Sequence, residues 1–204
     1  SAAAKRYNRG VMDRTARVSR TTKETSISLR LAVDGRGTCS LRTGLGFLAH
    51  MLELLCRVSG FSLTGTARGD LHVDEHHLVE DIGICLGDAL ARALGEKRGI
   101  ARFGFASMPM DEALVQVSLD ISGRPHLTFA MPKMRGRKGS FEIADSREFL
   151  QGFVNHAGVT LDVRWISWDT LHHVHEAVFK GLGCALKQAV RREGRAIPST
   201  KGML

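Results

Sequence analysis

The sequence predicts an α/β fold of the α+β sandwich kind, built from two tandem copies of one unit. Three observations predict it. His76-His77-x-x-Glu80 in the first half is echoed by His172-His173-x-x-Glu176 in the second. Each motif opens a helix rich in small residues, ICLGDALARAL and AVFKGLGCALKQAV. Ahead of each motif the same order of strand, strand, helix and strand is legible, with matched spacing. His50 stands ten residues before Gly60, and Glu148 ten before Gly158. That order, taken twice, implies sheets covered on one face by helices.

In the first unit, residues 24–33 (ETSISLRLAV) alternate as a half-buried strand does. Asp34-Gly35-Arg36-Gly37 reads as a hairpin turn, and 38–42 as the strand returning from it. Phe47, Leu48, Met51, Leu52, Leu55 and Val58 then fall at helical spacing across 46–58. Residues 61–71 read as a further strand, and Asp74 is placed to cap the helix that starts near the first His pair. In the second unit 113–121 alternates, 122–125 (SGRP) turns and 126–131 returns. Residues 145–157 are helical, 159–165 form a strand, and the second His pair opens the last long helix. The stretch 95–110, containing Gly99, Gly104 and Pro109, reads as the link between units.

Composition narrows the function classes. A hydrophobic content of 43% supports a real core, and no apolar run reaches the ~18 residues of a membrane span. At 6% aromatic, the chain is poorly supplied for stacking on bases. Cys39, Cys56, Cys85 and Cys184 lie far apart without CxxC spacing and read as buried, reduced thiols. The net charge is +8, and part of it lies in the first twenty residues, where Lys5, Arg6, Arg9, Arg14, Arg17 and Arg20 face only Asp13. Three readings suit such a segment: a processed targeting remnant, a nucleic-acid arm, or a solvated tail, the last preferred. Two short matches are set aside as structural. Gly44-Leu45-Gly46-Phe47-Leu48-Ala49 lacks a suitable parallel crossover and ribose-binding acid, and Arg68-Gly69-Asp70 runs directly into a strand.

The doubled motif carries the chemistry. On a helix, i and i+4 share a face, so His76 pairs with Glu80 and His172 with Glu176. His77 and His173 point about 100° further round. Manganese, zinc and iron accept mixed His and carboxylate ligands, and the lack of thiolates argues against a structural zinc.

Long strings of the chain resemble the imidazoleglycerol-phosphate dehydratase family, as a divergent member. They are TKETSISL, DGRG, TGLGFLAHML, GDLHVDEHHLVEDIGICLGDAL, RGIARFG, PMDEAL, DISGRP, HHVHEAVFK and PSTKG. The resemblance implies two repeats of a ribosomal-protein-S5 domain-2-like unit, about 17–95 and 111–195. These lie in a dehydratase-like domain, 17–204, that follows a basic tail, 1–16, and ends in a phosphate-binding tail. It implies assembly of 24 subunits, sites between neighbours, and two Mn2+ per site. Carried over by motif, the metal ligands are His50, His76, His77, Glu80, His172, His173 and Glu176. The eighth position is Glu148, where the family has histidine. Glu24 falls where the family places a substrate-contacting glutamate and is the candidate general base. Arg102, Arg124, Lys180, Ser199 and Lys201 match residues that hold the phosphate, a task suited to guanidinium forks and a hydroxyl.

The activity so implied is manganese-dependent dehydration of imidazoleglycerol phosphate to imidazoleacetol phosphate, a step of histidine biosynthesis. Its substrate is a small phosphorylated imidazole. The setting would be the cytoplasm, or a plastid or mitochondrion. Departures fall near the chemistry: Ala49 for an aspartate, Val58 for a substrate-contacting histidine, and Trp168 and Thr170 for glycine and asparagine. His175 is a novelty, read as an adventitious ligand or surface decoration. The alternative function is a catalytically lost paralogue serving as a scaffold or RNA-binding component, favoured by the basic arm and by Arg135-Gly136-Arg137-Lys138.

Overall fold

The computed structural model describes residues 14–130, the backbone of 137–138, and 141–204. Lys5, Arg6, Arg9 and Asp13, and the side chains of Arg135, Arg137 and Lys138, lie outside the described residues. The first unit comprises β1 (Thr15–Thr21), β2 (Thr25–Ala32), β3 (Thr38–Arg42), α1 (Gly46–Ser59), β4 (Ser62–Gly69) and α2 (His76–Leu94). The second comprises β5 (Phe103–Met110), β6 (Ala113–Asp120), β7 (His126–Ala130), α3 (Ile143–Ala157), β10 (Thr160–Ser167) and α4 (Leu171–Ala189). A short ribbon, β8 (Arg137–Lys138) with β9 (Phe141–Glu142), precedes α3.

Each unit forms a four-stranded sheet, ordered β1-β2-β4-β3 in one and β5-β6-β10-β7 in the other. Alternation does the sorting. Ile27, Leu29 and Leu31 of β2 are buried while Ser26 and Ser28 face out. The helices lie between the two sheets. α2 packs on β1 and β2, α4 on β5 and β6, and the layers meet as α1 against α4 and α2 against α3. One hydrophobic core therefore runs through both units.

Small residues make the helix contacts possible. A Cβ at Gly83 would stand 2.3 Å from the Phe149 carbonyl oxygen, and one at Gly87 2.5 Å from that of Phe153. On the other helix pair, a Cβ at Gly183 would lie 2.8 Å from the Leu55 carbonyl oxygen. Gly60 and Gly158 end α1 and α3 at equivalent points with φ of 83° and 64°, a conformation that favours glycine. The matched spacing in the two halves therefore records two equivalent helix stops.

Two strands depart from the sequence expectation. β1 straddles the boundary expected between the basic tail, 1–16, and the first repeat, and β5 falls in the stretch expected to be a link, yet each opens a sheet by pairing antiparallel with its neighbour. Internal ion pairs hold two basic residues, Arg14 just before β1 and Arg20 within it. Arg14 donates to Asp34 and to the Val190 carbonyl, and the Arg20 Nε donates to buried Asp81 at 2.7 Å. The hairpins also fail. β3 and β7 do not return along β2 and β6; they run parallel to β4 and β10 on the far side. The turn after β2 is drawn across that end by Gly37 N–H to the Gly60 carbonyl and Thr38 N–H to the Phe61 carbonyl. β3–α1–β4 is thus a parallel crossover, the connection judged missing around Gly44–Ala49.

Candidate metal centre

Helix pairing decides which halves of the motifs meet. α1 lies on α4, so His50 reaches the second motif rather than the first. His50, His172 and Glu176 form one group whose ligand atoms all lie within 4.8 Å of one another. His172 Nε2 is 2.8 Å from Glu176 Oε1, and His50 Nε2 is 3.6 Å from the same oxygen. Lys180, one turn on, donates to the other oxygen at 2.5 Å. Burial opposes ionisation of Glu176, but the Lys180 and His172 hydrogen bonds outweigh it and hold the carboxyl below its usual range. The group therefore offers an anionic oxygen and two imidazoles at once.

His173 faces elsewhere, as the helical offset requires. Its Nδ1 is 2.8 Å from Glu112 Oε2, and with Asp111 these residues make a second three-residue group. Glu112 also accepts the Thr170 N–H at 2.8 Å. The His173 hydrogen bond first, then backbone donors, pull the Glu112 carboxyl down to about 2, while Glu112 raises His173. His77 repeats the arrangement in the first unit. Its Nδ1 lies 3.2 Å from Asp70 and 3.9 Å from Glu24, and the Asp70 hydrogen bond raises its pKa. In both halves a carboxylate engages Nδ1, an arrangement that suits a histidine able to offer Nε2 to a metal.

His76, Glu80 and Glu148 belong to neither three-residue group among the described residues. The His76 ring stands 5.9 Å from that of His77. Glu148 sits on α3, beside the first motif's helix, and accepts from Arg147 at 3.1 Å. By the pseudo-symmetry of the units it occupies the place that His50 holds on α1. The phosphate candidates divide as well. The Arg102 fork is held by Asp120, and its Nη1 donates to the Pro198 carbonyl at 2.9 Å, drawing the terminal segment with Ser199 and Lys201 beside it. The Arg124 N–H donates to Ser122 Oγ in the turn after β6. Lys180 stands apart from these, on the Glu176 carboxylate.

Sequence reasoning missed Asp70, Asp111 and Glu112. A signal for Glu112 was present. It precedes Gly123 by the interval that separates Glu24 from Gly35, so it is the repeat partner of Glu24. Asp70 had been set aside with the Arg-Gly-Asp match. His175 is not surface decoration. It is fully buried between Phe47 and Phe141, with Nδ1 2.8 Å from Ser146 Oγ, and burial lowers its pKa to about 4. Val58 has a packing role, its Cβ lying 3.3 Å from where a Cβ on Gly183 would stand. Nothing in the structure explains Trp168.

Fold and site together define a class: duplicated sandwiches whose HHxxE helices present histidine–carboxylate groups fit to hold metal. The model of one family, Imidazoleglycerol-phosphate dehydratase, matches residues 43–186. Imidazoleglycerol-phosphate dehydratase of Carboxydothermus hydrogenoformans is 52% identical over 191 residues, 94% of this chain and 100% of that protein. The Aromatoleum aromaticum enzyme of the same name is 52% identical over 194 residues, with 94% and 100% covered. Among solved structures, IGPD from Pyrococcus furiosus, in complex with (S)-C348, superposes with a TM-score of 0.80 at 38% identity, covering 92% of this chain and 100% of that one. The chain belongs to the imidazoleglycerol-phosphate dehydratase family.

Proposed function

We propose that the chain is a working hydro-lyase that dehydrates imidazoleglycerol phosphate to imidazoleacetol phosphate in histidine biosynthesis. One observation carries this reading beyond family membership. His77 and His173, at equivalent points of the two units, each have Nδ1 engaged by a carboxylate, and the second motif adds a group of two histidines and an ionised glutamate. A descendant kept only as a scaffold would have no use for two such arrangements.

His50, His172 and Glu176, with His173 and with His76, His77 and Glu80, would hold two Mn2+, and Glu148 completes the set in place of a histidine. Bound manganese supplies Lewis acidity toward the imidazole of the substrate. The remaining work falls to side chains. Glu24, beside His77, is the base that removes the ring-adjacent proton as the neighbouring hydroxyl departs. Arg102, Arg124, Lys180, Ser199 and Lys201 hold the phosphate.

Within one chain these residues occupy separate groups: Lys180 lies with Glu176, while Arg102 lies with the terminal segment. This separation favours sites completed by neighbouring copies, in the 24-subunit assembly the family resemblance implies. No helix among the described residues is long and apolar enough to cross a membrane. Relatives from bacteria fit a cytoplasmic setting, and an organellar one would rest on the basic tail, outside the described residues.

The test is turnover of imidazoleglycerol phosphate by purified protein with added manganese. Turnover abolished by chelation, and lowered at least about a hundredfold by Glu24→Gln, is expected. No turnover from folded, manganese-loaded protein would overturn the reading.

A further inference from the structure

The outward face of the first sheet carries chemistry that the dehydratase site does not use. Its cross-strand rows are Arg17–Arg30–Thr64–Ser40, then Ser19–Ser28–Thr66–Arg42, then Thr21–Ser26–Arg68. These rows contain arginines and hydroxyls but no Asp or Glu. Arg17, Arg30, Arg42 and Arg68 have no carboxylate partner among the described residues, unlike Arg14 and Arg20 of the same unit.

Two of these arginines are set against each other. Arg17 and Arg30 are direct partners across the β1–β2 ladder, a like-charge pairing that destabilises a sheet unless an anion lies between. They line a hollow of about 200 Å³ with Ser28, Leu29, Thr64 and Gly65. Ser28 Oγ accepts from Ser19 Oγ at 3.3 Å, which leaves its own proton to donate. The Thr64 hydroxyl makes no hydrogen bond among the described residues. Two arginines and two hydroxyl-bearing residues thus line one hollow with room for a small anion.

The duplication supplies an internal control. Phe105, Ser118 and Asp162 occupy the corresponding row of the second sheet. The hollow there, about 400 Å³, is lined by Phe103, Phe105, Asp120 and Asp162 among others. Its carboxylates are already matched, Asp120 by Arg102 and Asp162 by Arg164. The scaffold therefore forms a depression in both units, and only the first is cationic and unmatched.

We propose that the hollow between Arg17 and Arg30 binds a phosphate dianion, either inorganic phosphate or the terminal phosphate of a small monoester. The forks match phosphate oxygens in pairs, and Ser28 and Thr64 donate to the remainder.

Phosphate is also expected at the substrate-binding residues, so the test counts sites. Calorimetric titration with inorganic phosphate is expected to show two classes of site per chain, and only one in the R17Q/R30Q variant. The lost class should weaken at least tenfold, with dehydratase turnover unchanged. Crystals soaked in tungstate should place the ion within hydrogen-bond reach of both guanidinium groups. A parallel titration with glycerol 3-phosphate identifies the source: tighter binding than phosphate marks a monoester site, weaker binding a free-ion site. Equal phosphate stoichiometry in the two proteins, or a hollow without tungstate, overturns the proposal. Arg30→Gln guards against a folding artefact. In phosphate-free buffer its melting temperature should equal or exceed that of the parent, and phosphate should raise the parent more. A lower melting temperature that phosphate does not offset would mark a purely structural arginine and overturn the site.

Discussion

Individual carboxylates raise the pKa of two of the site's histidines, His77 and His173. Glu112 engages Nδ1 of His173, as Asp70 engages that of His77. Glu112→Gln is expected to weaken manganese binding about 10–100-fold, measured from the free-ion paramagnetic signal during titration. A residue outside the site gives the pH response. Hydrogen bonds from Arg14 hold the Asp34 carboxyl below its usual range. A folded pKa below the unfolded one stabilises the protein above the unfolded value, and that contribution vanishes as pH falls through the folded value. Asp34→Asn should therefore melt at a lower temperature than the parent at pH 7, with the gap closing below about pH 4. Much of this scale was legible. The HHxxE pairs and Glu24 stood in the sequence, and repeat arithmetic pointed to Glu112. Asp70 was not legible, because its role depends on the end of β4 facing the start of α2.

Elements were read well where periodicity is strong and poorly where pairing is remote. The helices and the inner strands β2, β4, β6 and β10 lie where alternation and helical spacing put them. β1 was lost because its charges, Arg17 and Arg20 among them, resemble a tail in isolation. Only the β2 ladder and Asp81 make it a strand. β3 and β7 were given the wrong partners because a Gly-rich turn signals a hairpin locally. The crossover helix α1, which brings β3 parallel to β4, is a longer-range matter. The small residues of α2 proved to be contact points against α3. Gly83→Ala should destabilise by about 1–3 kcal/mol through overpacking, seen as a lower urea midpoint. Gly46→Ala, in the first turn of α1 with nothing within 4 Å of its Cβ position, should be neutral or stabilise by about 0.5–1 kcal/mol. Equal effects from the two changes would contradict this packing account.

At the scale of the whole molecule, one duplication explains the architecture and the division of the site. Each unit contributes a sheet, two helices and one HHxxE motif, and the helix layers interlock into a single core. The pairing of α1 with α4 and α2 with α3 sorts the candidate ligands into a His50–His172–Glu176 group and residues of the first motif beside Glu148. On the proposed function, neither set is complete alone, and motifs of different copies join to form the working site. Co-expression of two inactive variants, His172→Asn and His77→Asn, tests that claim most directly. Sites shared between chains predict that mixed assemblies regain up to about a quarter of parental turnover, from sites receiving both intact halves. Turnover in the mixture no greater than in either variant alone would contradict it, and would place each complete site within a single chain.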